Sequence, residues 1–262
     1  MKNRITSLFA TTKKDILSVF YTAGFPNLHD TVPIAEALAA SGADIIEIGI
    51  PFSDPVADGP TIQQSNKVAL DNGMNVKLLL AQVATIRQTV NIPIILMGYL
   101  NPVIQYGVER FIVDAAKAGV DGLILPDMPL YEYEEQYQAL FEQHNLCNTF
   151  LISPTTSEER IRRIDAATQG FIYAVSASST TGAKGDFTGE QLAYFDKLNK
   201  MKLSNPFLIG FGISNRDTFD RAAAHGAGAI IGSAFINLLR SSTNLPADIR
   251  QFIEGIKQPS RV

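Results

Sequence analysis

Two carboxylates could do chemistry, because one lies in an apolar run and the other follows it in a short loop. Glu47 is flanked by Ile46 and Ile48. Burying a carboxylate there is costly unless it is paired, neutralised or used, and burial raises its pKa towards neutrality. Asp58 follows in a segment rich in proline and glycine. We therefore predict that Glu47 exchanges protons and that Asp58 approaches the same ligand from a loop.

Each acid also has a structural interpretation. Glu47 could form a salt bridge with a neighbouring strand, although near the C-terminal end of a barrel strand catalysis is the stronger interpretation. Asp58 could be an acid at the N-terminus of a helix that starts near Thr61, or a simple turn residue. On this segment alone, both interpretations of Asp58 stay open.

The elements that must position these acids follow an alternating pattern of short apolar runs and amphipathic segments. The predicted strands are Leu17–Tyr21, Asp44–Ile48, Ile94–Gly98, Gly122–Leu125, Thr149–Ile152, Phe171–Val175, Phe207–Gly210 and Ala229–Ile231. The predicted helices include Thr31–Ala40, Val76–Thr89, Val108–Ala118, Glu132–His144, Ser157–Ala167, Gly189–Met201 and Asn215–His225. Apolar strands that alternate with helices are typical of a parallel sheet covered by helices. Eight strands in 262 residues favour a single α/β domain over residues 1–262, a (β/α)8 TIM barrel with a short extra N-terminal helix.

Three similar segments place Gly42, Gly119 and Gly226 just after a predicted helix and before a strand. A glycine in this position usually adopts a positive φ at little cost. We interpret all three as turns at the bottom of the barrel, with a structural role. Function is expected at the opposite end, in the loops that follow the strands.

Composition excludes several classes of protein. With 46% hydrophobic and 18% charged residues, the chain can fill a core and is not expected to be disordered. A net charge of −4 without a basic cluster argues against nucleic acid and anionic membranes as partners. The single Cys147 excludes an internal disulfide, and the three histidines are too scattered for a metal site. No signal peptide or membrane span is expected, so we predict a soluble cytoplasmic protein.

Glycine-containing segments follow the last three predicted strands, at Thr181-Gly182, Gly210-Phe211-Gly212 and Gly232-Ser233. In phosphate-binding barrels, the loops after strands seven and eight and a short helix N-terminus hold the anion through backbone N–H groups. Ser233 would begin such a helix and add a hydroxyl donor. This pattern predicts an anion site and a phosphate-site helix at the end of the barrel.

The segment from Ile48 to Pro60 resembles the signature of the tryptophan synthase alpha chain family. Further matching segments follow in order along nearly the whole chain: Met97–Pro102, Gly119–Pro129, Tyr173–Ser176, Gly210–Ser214 and Gly232–Ala234. The chain departs from many family members at Ala177 and Ser179, where an arginine and a glycine are common.

The resemblance implies a carbon–carbon lyase that cleaves indole-3-glycerol phosphate into indole and D-glyceraldehyde 3-phosphate, the penultimate step of tryptophan biosynthesis. Asp58 would accept the indole N–H, and Glu47 would move protons between the indole C3 and the side-chain hydroxyl. Thr181 would contact Asp58 when its loop closes.

The resemblance also implies the residues that bind the substrate. Phe20, Tyr99, Tyr173 and Phe211 would line a flat apolar slot for the indole ring, although each alone is more simply explained as barrel core. The phosphate would be held by Gly182, Gly212, Gly232 and Ser233.

No metal or organic cofactor is implied for this chain. Family members work in an αββα complex that passes indole to a beta subunit, and pyridoxal phosphate is expected only on that partner. Two alternatives remain. The chain could be another phosphosugar barrel, such as an isomerase or an earlier synthase, although the segment from Pro51 to Pro55 argues against this. It could also be a weak catalyst whose main role is to activate the beta subunit.

Overall fold

Nine parallel strands form one sheet in the computed structural model, which describes residues 2–176, 187–210 and 212–257. The strands are β1 Ile16–Thr22, β2 Ile45–Gly49, β3 Ile94–Met97, β4 Gly122–Ile124, β5 Cys147–Asn148, β6 Leu151–Ile152, β7 Ile172–Val175, β8 Phe207–Gly210 and β9 Gly228–Ile231. Their order in the sheet is β5-β4-β3-β2-β1-β9-β8-β7-β6.

The first and last strands in this order, β5 and β6, follow each other closely in the chain. β5 pairs with β4, β6 pairs with β7, and only Thr149 and Phe150 separate them. The Thr149 N–H donates to the Leu123 carbonyl at 3.0 Å, and the Phe150 carbonyl accepts from the Tyr173 N–H at 3.0 Å. The sheet therefore closes into the predicted eight-stranded barrel. The predicted fifth strand, Thr149–Ile152, is correct at Leu151–Ile152, but it misses β5, and Thr149 and Phe150 belong to neither strand. These two residues bond to neighbours on opposite sides of the barrel sheet.

Helices surround the barrel. They are α1 Arg4–Thr11, α2 Thr31–Ser41, α3 Pro60–Asp71, α4 Val76–Ile86, α5 Leu100–Tyr106, α6 Val108–Ala118, α7 Leu130–Glu132, α8 Gln138–Gln143, α9 Glu158–Ala167, α10 Gly189–Met201, α11 Arg216–His225, α12 Ser233–Ser241 and α13 Leu245–Lys257. The helix predicted for Glu132–His144 is interrupted by a π-helical turn at Tyr133–Tyr137. In the three described ranges, no helix is both long and apolar enough to cross a membrane.

Side-chain alternation along the strands builds two cores. On β1, Leu17, Val19 and Tyr21 point outward and join the layer between barrel and helices. Ile16 points inward and packs in the barrel with residues such as Ile45 from the neighbouring strand. Because side chains alternate, the interior positions that follow Ile16 on β1 are Ser18 and Phe20.

Helix α1 closes the bottom of the barrel and confirms the predicted N-terminal helix. Ile5 and Phe9 are buried in the interior core, and the Phe9 ring lies 5.5 Å from that of Phe171. The Asn3 side chain caps the helix by accepting from the Thr6 N–H. Ligands can therefore enter only from the opposite end, where the strands end.

The predicted turn glycines are confirmed in two of three cases. Gly42 and Gly119 have φ of +99° and +93°. The prediction for Gly226 is wrong, because its φ is −121° and its backbone is extended. A Cβ added there would lie 2.9 Å from the Phe207 carbonyl oxygen, so close approach of the backbone explains this glycine.

Candidate active site

Glu47 lies inside the barrel on β2 and is completely buried. Ser18 of β1 donates its hydroxyl to Glu47 Oε1 at 2.6 Å. No hydrogen-bond donor from the described ranges reaches Oε2, which is also buried. Burial raises the pKa of Glu47 to about 7, although the Ser18 hydrogen bond lowers it in part. The carboxyl can therefore both give and take a proton near neutral pH.

Asp58 is half-buried in the loop between β2 and α3. Gly59, and not Asp58, is the N-cap of α3, and no side chain caps that helix. The Asp58 carboxylate instead accepts a hydrogen bond from the Tyr99 hydroxyl, with 3.3 Å between Oδ2 and the phenol oxygen. Burial raises the pKa of Asp58 to about 6, and the Tyr99 hydrogen bond lowers it in part. At neutral pH Asp58 is therefore mostly ionised.

Tyr99 joins two loops at the mouth of the barrel. It follows β3, and its hydroxyl accepts from the Ala57 N–H at 3.0 Å while it faces Asp58. Burial, followed by the charge of Asp58, raises the pKa of Tyr99 to about 12, so the phenol stays a hydrogen-bond donor. The Phe52 ring lies 5.4 Å from the Tyr99 ring and extends the aromatic surface.

Tyr173 relates the two acids to each other. It is buried on β7 and belongs to the interior core. Burial raises its pKa well above the usual value, and the charges of Glu47 and Asp58 raise it further. Both carboxylates therefore act on one phenol, Glu47 from β2 and Asp58 from the loop that follows it. Gly210 of β8 makes room for this ring, since a Cβ there would overlap the Tyr173 hydroxyl.

Phe20 extends from the acids towards the end of the barrel. It is the β1 partner of Glu47 in the sheet register and is half-buried. A Cβ at Gly49 would lie 2.7 Å from Phe20 Cζ, and one at Gly232 would lie 3.6 Å from Phe20 Cδ1. The ring therefore lies between the end of β2 and the start of α12.

A helix, α12, begins at Ser233, where a phosphate-site helix was predicted. Ser233 is exposed, and the N-cap of the helix is Gly232, where none of the described side chains makes a capping hydrogen bond. The first N–H groups of a helix lack internal acceptors and favour anions. Gly212 is exposed with φ of +79°, and a Cβ there would meet open space. These positions leave backbone donors accessible at the end of the barrel.

Some predicted site residues lie outside the part of the chain that the structure describes. These are Thr181 and Gly182 in the segment after β7, and Phe211 after β8. Ala177 and Ser179, at which the chain departs from the family pattern, also lie outside it. Their predicted roles stay predictions.

Neither Ser18 nor Asp127 is among the site residues predicted from the sequence. Ser18 is a polar residue in an apolar strand, two positions before Phe20 and therefore on the same face, which was an available signal. The Asp127 carboxylate accepts from the Leu100 N–H at 2.8 Å and fixes the start of α5, next to Tyr99. Across the described ranges, no group of three or more His, Cys, Asp or Glu side chains is placed to hold a metal ion.

Comparison with known proteins gives one consistent result. The family model described as "Tryptophan synthase alpha chain" matches residues 7–258. The tryptophan synthase alpha chain of Parabacteroides distasonis is 54% identical over 256 residues, which cover 98% of this chain and 100% of that protein.

Solved structures agree. The crystal structure of tryptophan synthase subunit alpha from Legionella pneumophila has a TM-score of 0.87 at 35% identity and covers 98% of both chains. A chain of the Mycobacterium tuberculosis tryptophan synthase, solved in an aminoacrylate-bound form, has a TM-score of 0.85 at 30% identity. That match covers 97% of this chain and 98% of the other. Because these matches cover nearly the whole chain, the similarity extends over the entire barrel and is not limited to one motif.

Proposed function

The chain belongs to the tryptophan synthase alpha chain family, and we propose that it cleaves indole-3-glycerol phosphate with Glu47 and Asp58 as its catalytic residues. The alpha reaction of this family is a carbon–carbon lyase reaction that releases indole and D-glyceraldehyde 3-phosphate. The observation that carries the residue assignment is that the charges of Glu47 and Asp58 both act on the Tyr173 phenol, while no donor in the described ranges reaches the buried Oε2 of Glu47.

The two acids divide the proton transfers between them. Protonated Glu47 gives its proton to C3 of the indole, and the Asp58 carboxylate accepts the ring N–H, whose nitrogen becomes positive. The Glu47 carboxylate then takes the proton of the hydroxyl on the carbon attached to C3. The bond between that carbon and C3 breaks, its electron pair returns to the ring, and an aldehyde is released. Glu47 ends the cycle protonated, so the balance requires no external acid or base.

The pKa values suit these roles. A carboxyl with a pKa of about 7 exchanges a proton readily near neutrality, whereas Asp58, with a pKa of about 6, is mostly ionised there. The negative Asp58 opposes the positive charge that develops on the indole nitrogen. The Tyr99 hydroxyl holds Asp58 in place for this interaction.

The rest of the substrate would lie along the aromatic residues towards α12. Phe20, Tyr99 and Tyr173 would contact the indole ring, together with Phe211, and Thr181 would meet Asp58 on loop closure. The phosphate would bind the backbone donors at Gly212, Gly232 and Ser233, together with Gly182. The open α12 N-terminus and the exposed positive-φ turn at Gly212 support this assignment.

A beta subunit is the partner implied by the family, and we propose an αββα assembly in which pyridoxal phosphate belongs to the beta subunit. Three exposed apolar side chains follow successive strands at the mouth: Val56 after β2, Ile104 on α5 after β3, and Tyr131 on α7 after β4. Their exposed fractions are 88%, 57% and 63%. An apolar rim next to the site suits a partner that receives indole directly. We also propose that the chain forms a single domain and acts in the cytoplasm.

The catalytic assignment is tested by turnover of indole-3-glycerol phosphate with purified variants. Glu47→Gln and Asp58→Asn should each lose most of the cleavage activity while keeping the wild-type circular dichroism spectrum. Asp71→Asn is the control, because Asp71 is an exposed acid at the end of α3. Near-normal turnover in either site variant would refute the assignment.

The same assay separates the two alternatives. Turnover of a different phosphosugar in place of indole-3-glycerol phosphate would indicate another phosphosugar barrel. Negligible indole release by the chain alone, with strong stimulation of an added beta subunit, would indicate a protein that mainly activates its partner.

A further inference from the structure

Within the described ranges, the Glu47 carboxyl accepts a hydrogen bond on only one of its oxygens. Its Oε1 accepts from Ser18 at 2.6 Å, and its Oε2 has no donor within the described ranges. Both Ser18 and Glu47 are completely buried. One carboxyl oxygen is therefore engaged by the protein, and the other is available for a partner that enters the barrel.

We propose that Ser18 is a positioning residue that fixes Oε1 of Glu47, so that Oε2 is the oxygen that exchanges the proton with the substrate. A carboxyl group without this contact could rotate and present either oxygen. The hydroxyl donor limits that rotation and stabilises the ionised state in the second half of the reaction. This inference rests on the proposed function, because it names the oxygen of Glu47 that exchanges protons in the proposed reaction.

The position of Ser18 supports this role. Ser18 lies in the middle of β1, which pairs with β2 on one side and with β9 on the other, opposite Ile45 and Ile230. Such a central strand position is normally apolar, and a hydroxyl there requires a buried partner. Glu47 Oε1 is that partner. Its bond to Ser18 therefore gives both groups a partner, while no donor in the described ranges reaches Oε2, an arrangement that a purely structural pair would not require.

Few titratable groups face Glu47 in the described structure. Tyr173 faces it from β7, and Asp58 acts on the same phenol from the β2–α3 loop. The inward residues of β1 and β3 that flank Glu47, including Phe20 and Ile95, do not titrate. A change in the titration of Glu47 on removal of the Ser18 hydroxyl can therefore be assigned to that contact.

The experiment compares Ser18→Ala, Ser18→Thr and Tyr21→Phe. Tyr21→Phe is the matched control, because it removes a buried hydroxyl from the same strand, one that donates to the Thr31 carbonyl at 2.7 Å on the outer side. Two measurements are made for each variant. One is the pH dependence of kcat and KM, and the other is the titration of the Glu47 carboxyl carbon by carbon-13 NMR, with the signal assigned by its loss in Glu47→Gln.

We expect Ser18→Ala to lower kcat about ten-fold with little change in KM, because a hydrogen bond to an ionised group changes an equilibrium constant by roughly ten-fold. The Glu47 midpoint should rise by about one pH unit, because the ionised form loses its donor. Ser18→Thr keeps a hydroxyl at this position and should have the wild-type kcat and the wild-type Glu47 midpoint. Tyr21→Phe should lower the melting temperature and change neither value.

An unchanged kcat and an unchanged Glu47 midpoint in Ser18→Ala would overturn the inference. So would an equal effect of Tyr21→Phe, since a general loss of stability would then explain the result. Failure of the proposed function is distinguishable: wild type and Glu47→Gln would then cleave the substrate equally poorly. In that case the NMR midpoint would still test the Ser18 contact by itself.

Discussion

The Tyr99 hydroxyl lies 3.3 Å from Asp58 Oδ2 and also accepts the Ala57 N–H at 3.0 Å. One phenol that follows β3 therefore binds both the carboxylate and the backbone of the loop that follows β2. A loop carboxylate held in this way keeps its orientation through a neutral hydroxyl donor. Tyr99 is thus connected to the proposed indole site in two ways, by its ring and by its hydroxyl.

Tyr99→Phe should raise the pKa of Asp58 above its value of about 6, because the lost hydrogen bond favours the ionised form. Activity that needs ionised Asp58 falls as the pH drops through this pKa, so the acid limb of kcat/KM should move to higher pH. Measurement of kcat/KM between pH 5 and pH 8 tests the shift. Tyr106→Phe is the control, because Tyr106 donates to Asp114 on the helical side. An acid limb that stays in place would contradict the role of the hydroxyl.

Glu47→Gln should be more stable than the wild type at alkaline pH. The folded state raises the pKa of Glu47 from 4.5 to about 7, so folded protein retains a proton that unfolded protein loses. The contribution of Glu47 to the free energy of unfolding of the wild type is fully present below pH 4.5 and is lost as the pH rises through 7. A shift of this size corresponds to roughly 3 kcal/mol in the free energy of unfolding. Urea titrations of both proteins at several pH values measure the difference, and a constant difference between pH 5 and pH 8 would contradict the prediction.

Gly210→Ala should lower kcat/KM at least ten-fold, because its Cβ would displace the Tyr173 ring from its place beside both acids. Steady-state kinetics with indole-3-glycerol phosphate tests this. Gly255→Ala is the matched control, since Gly255 lies within α13 and a Cβ there meets nothing within 4 Å. The control should gain up to about 1 kcal/mol in stability from the better helix former without a kinetic effect. Wild-type kinetics in Gly210→Ala would show that Tyr173 tolerates displacement.

Gly212→Ala should weaken the binding of glycerol 3-phosphate, measured as a competitive inhibitor of cleavage. The added methyl group would occupy space that the anion needs, and the φ of +79° adds strain. Gly73→Ala carries the same kind of strain, with φ of +93° and open space, at the end of α3 and away from the site. Each variant should lose about 1 kcal/mol of stability. If the inhibition constant changed equally in both variants, the result would contradict a role of Gly212 in phosphate binding.

Val56→Asp should weaken the binding of a tryptophan synthase beta subunit about ten-fold while indole release by the chain alone stays unchanged. Val56 is 88% exposed, and a charge at its position would remain buried and unpaired in an apolar interface. Isothermal titration with the purified beta subunit measures the affinity. Leu192→Asp is the control, because Leu192 is an exposed apolar residue on α10. Equal affinities for wild type and Val56→Asp would place the interface elsewhere.

Much of the fold was predictable because local patterns carry it. Apolar runs such as the one around Ile46 predicted the strands to within a few residues, and the segment after His225 gave the correct order of helix and strand. The bounds of the fifth strand were not predictable in detail. The start of β5 at Cys147 and the gap at Thr149 and Phe150 depend on which neighbouring strands meet this segment across the closed sheet. The need for a glycine at position 226 also comes from a distant group, the Phe207 carbonyl, which leaves no room for a Cβ.

By itself, the sequence determined which acids were candidates, because a glutamate in an apolar strand and an aspartate in a proline-rich loop are unusual locally. It also determined the barrel through the period of its strands and helices. Only the tertiary structure decided that Ser18 holds one oxygen of Glu47, and that Asp58 bonds Tyr99 instead of capping a helix. These contacts join residues far apart in the chain. They depend on strand register and barrel closure, and no local pattern encodes those distances.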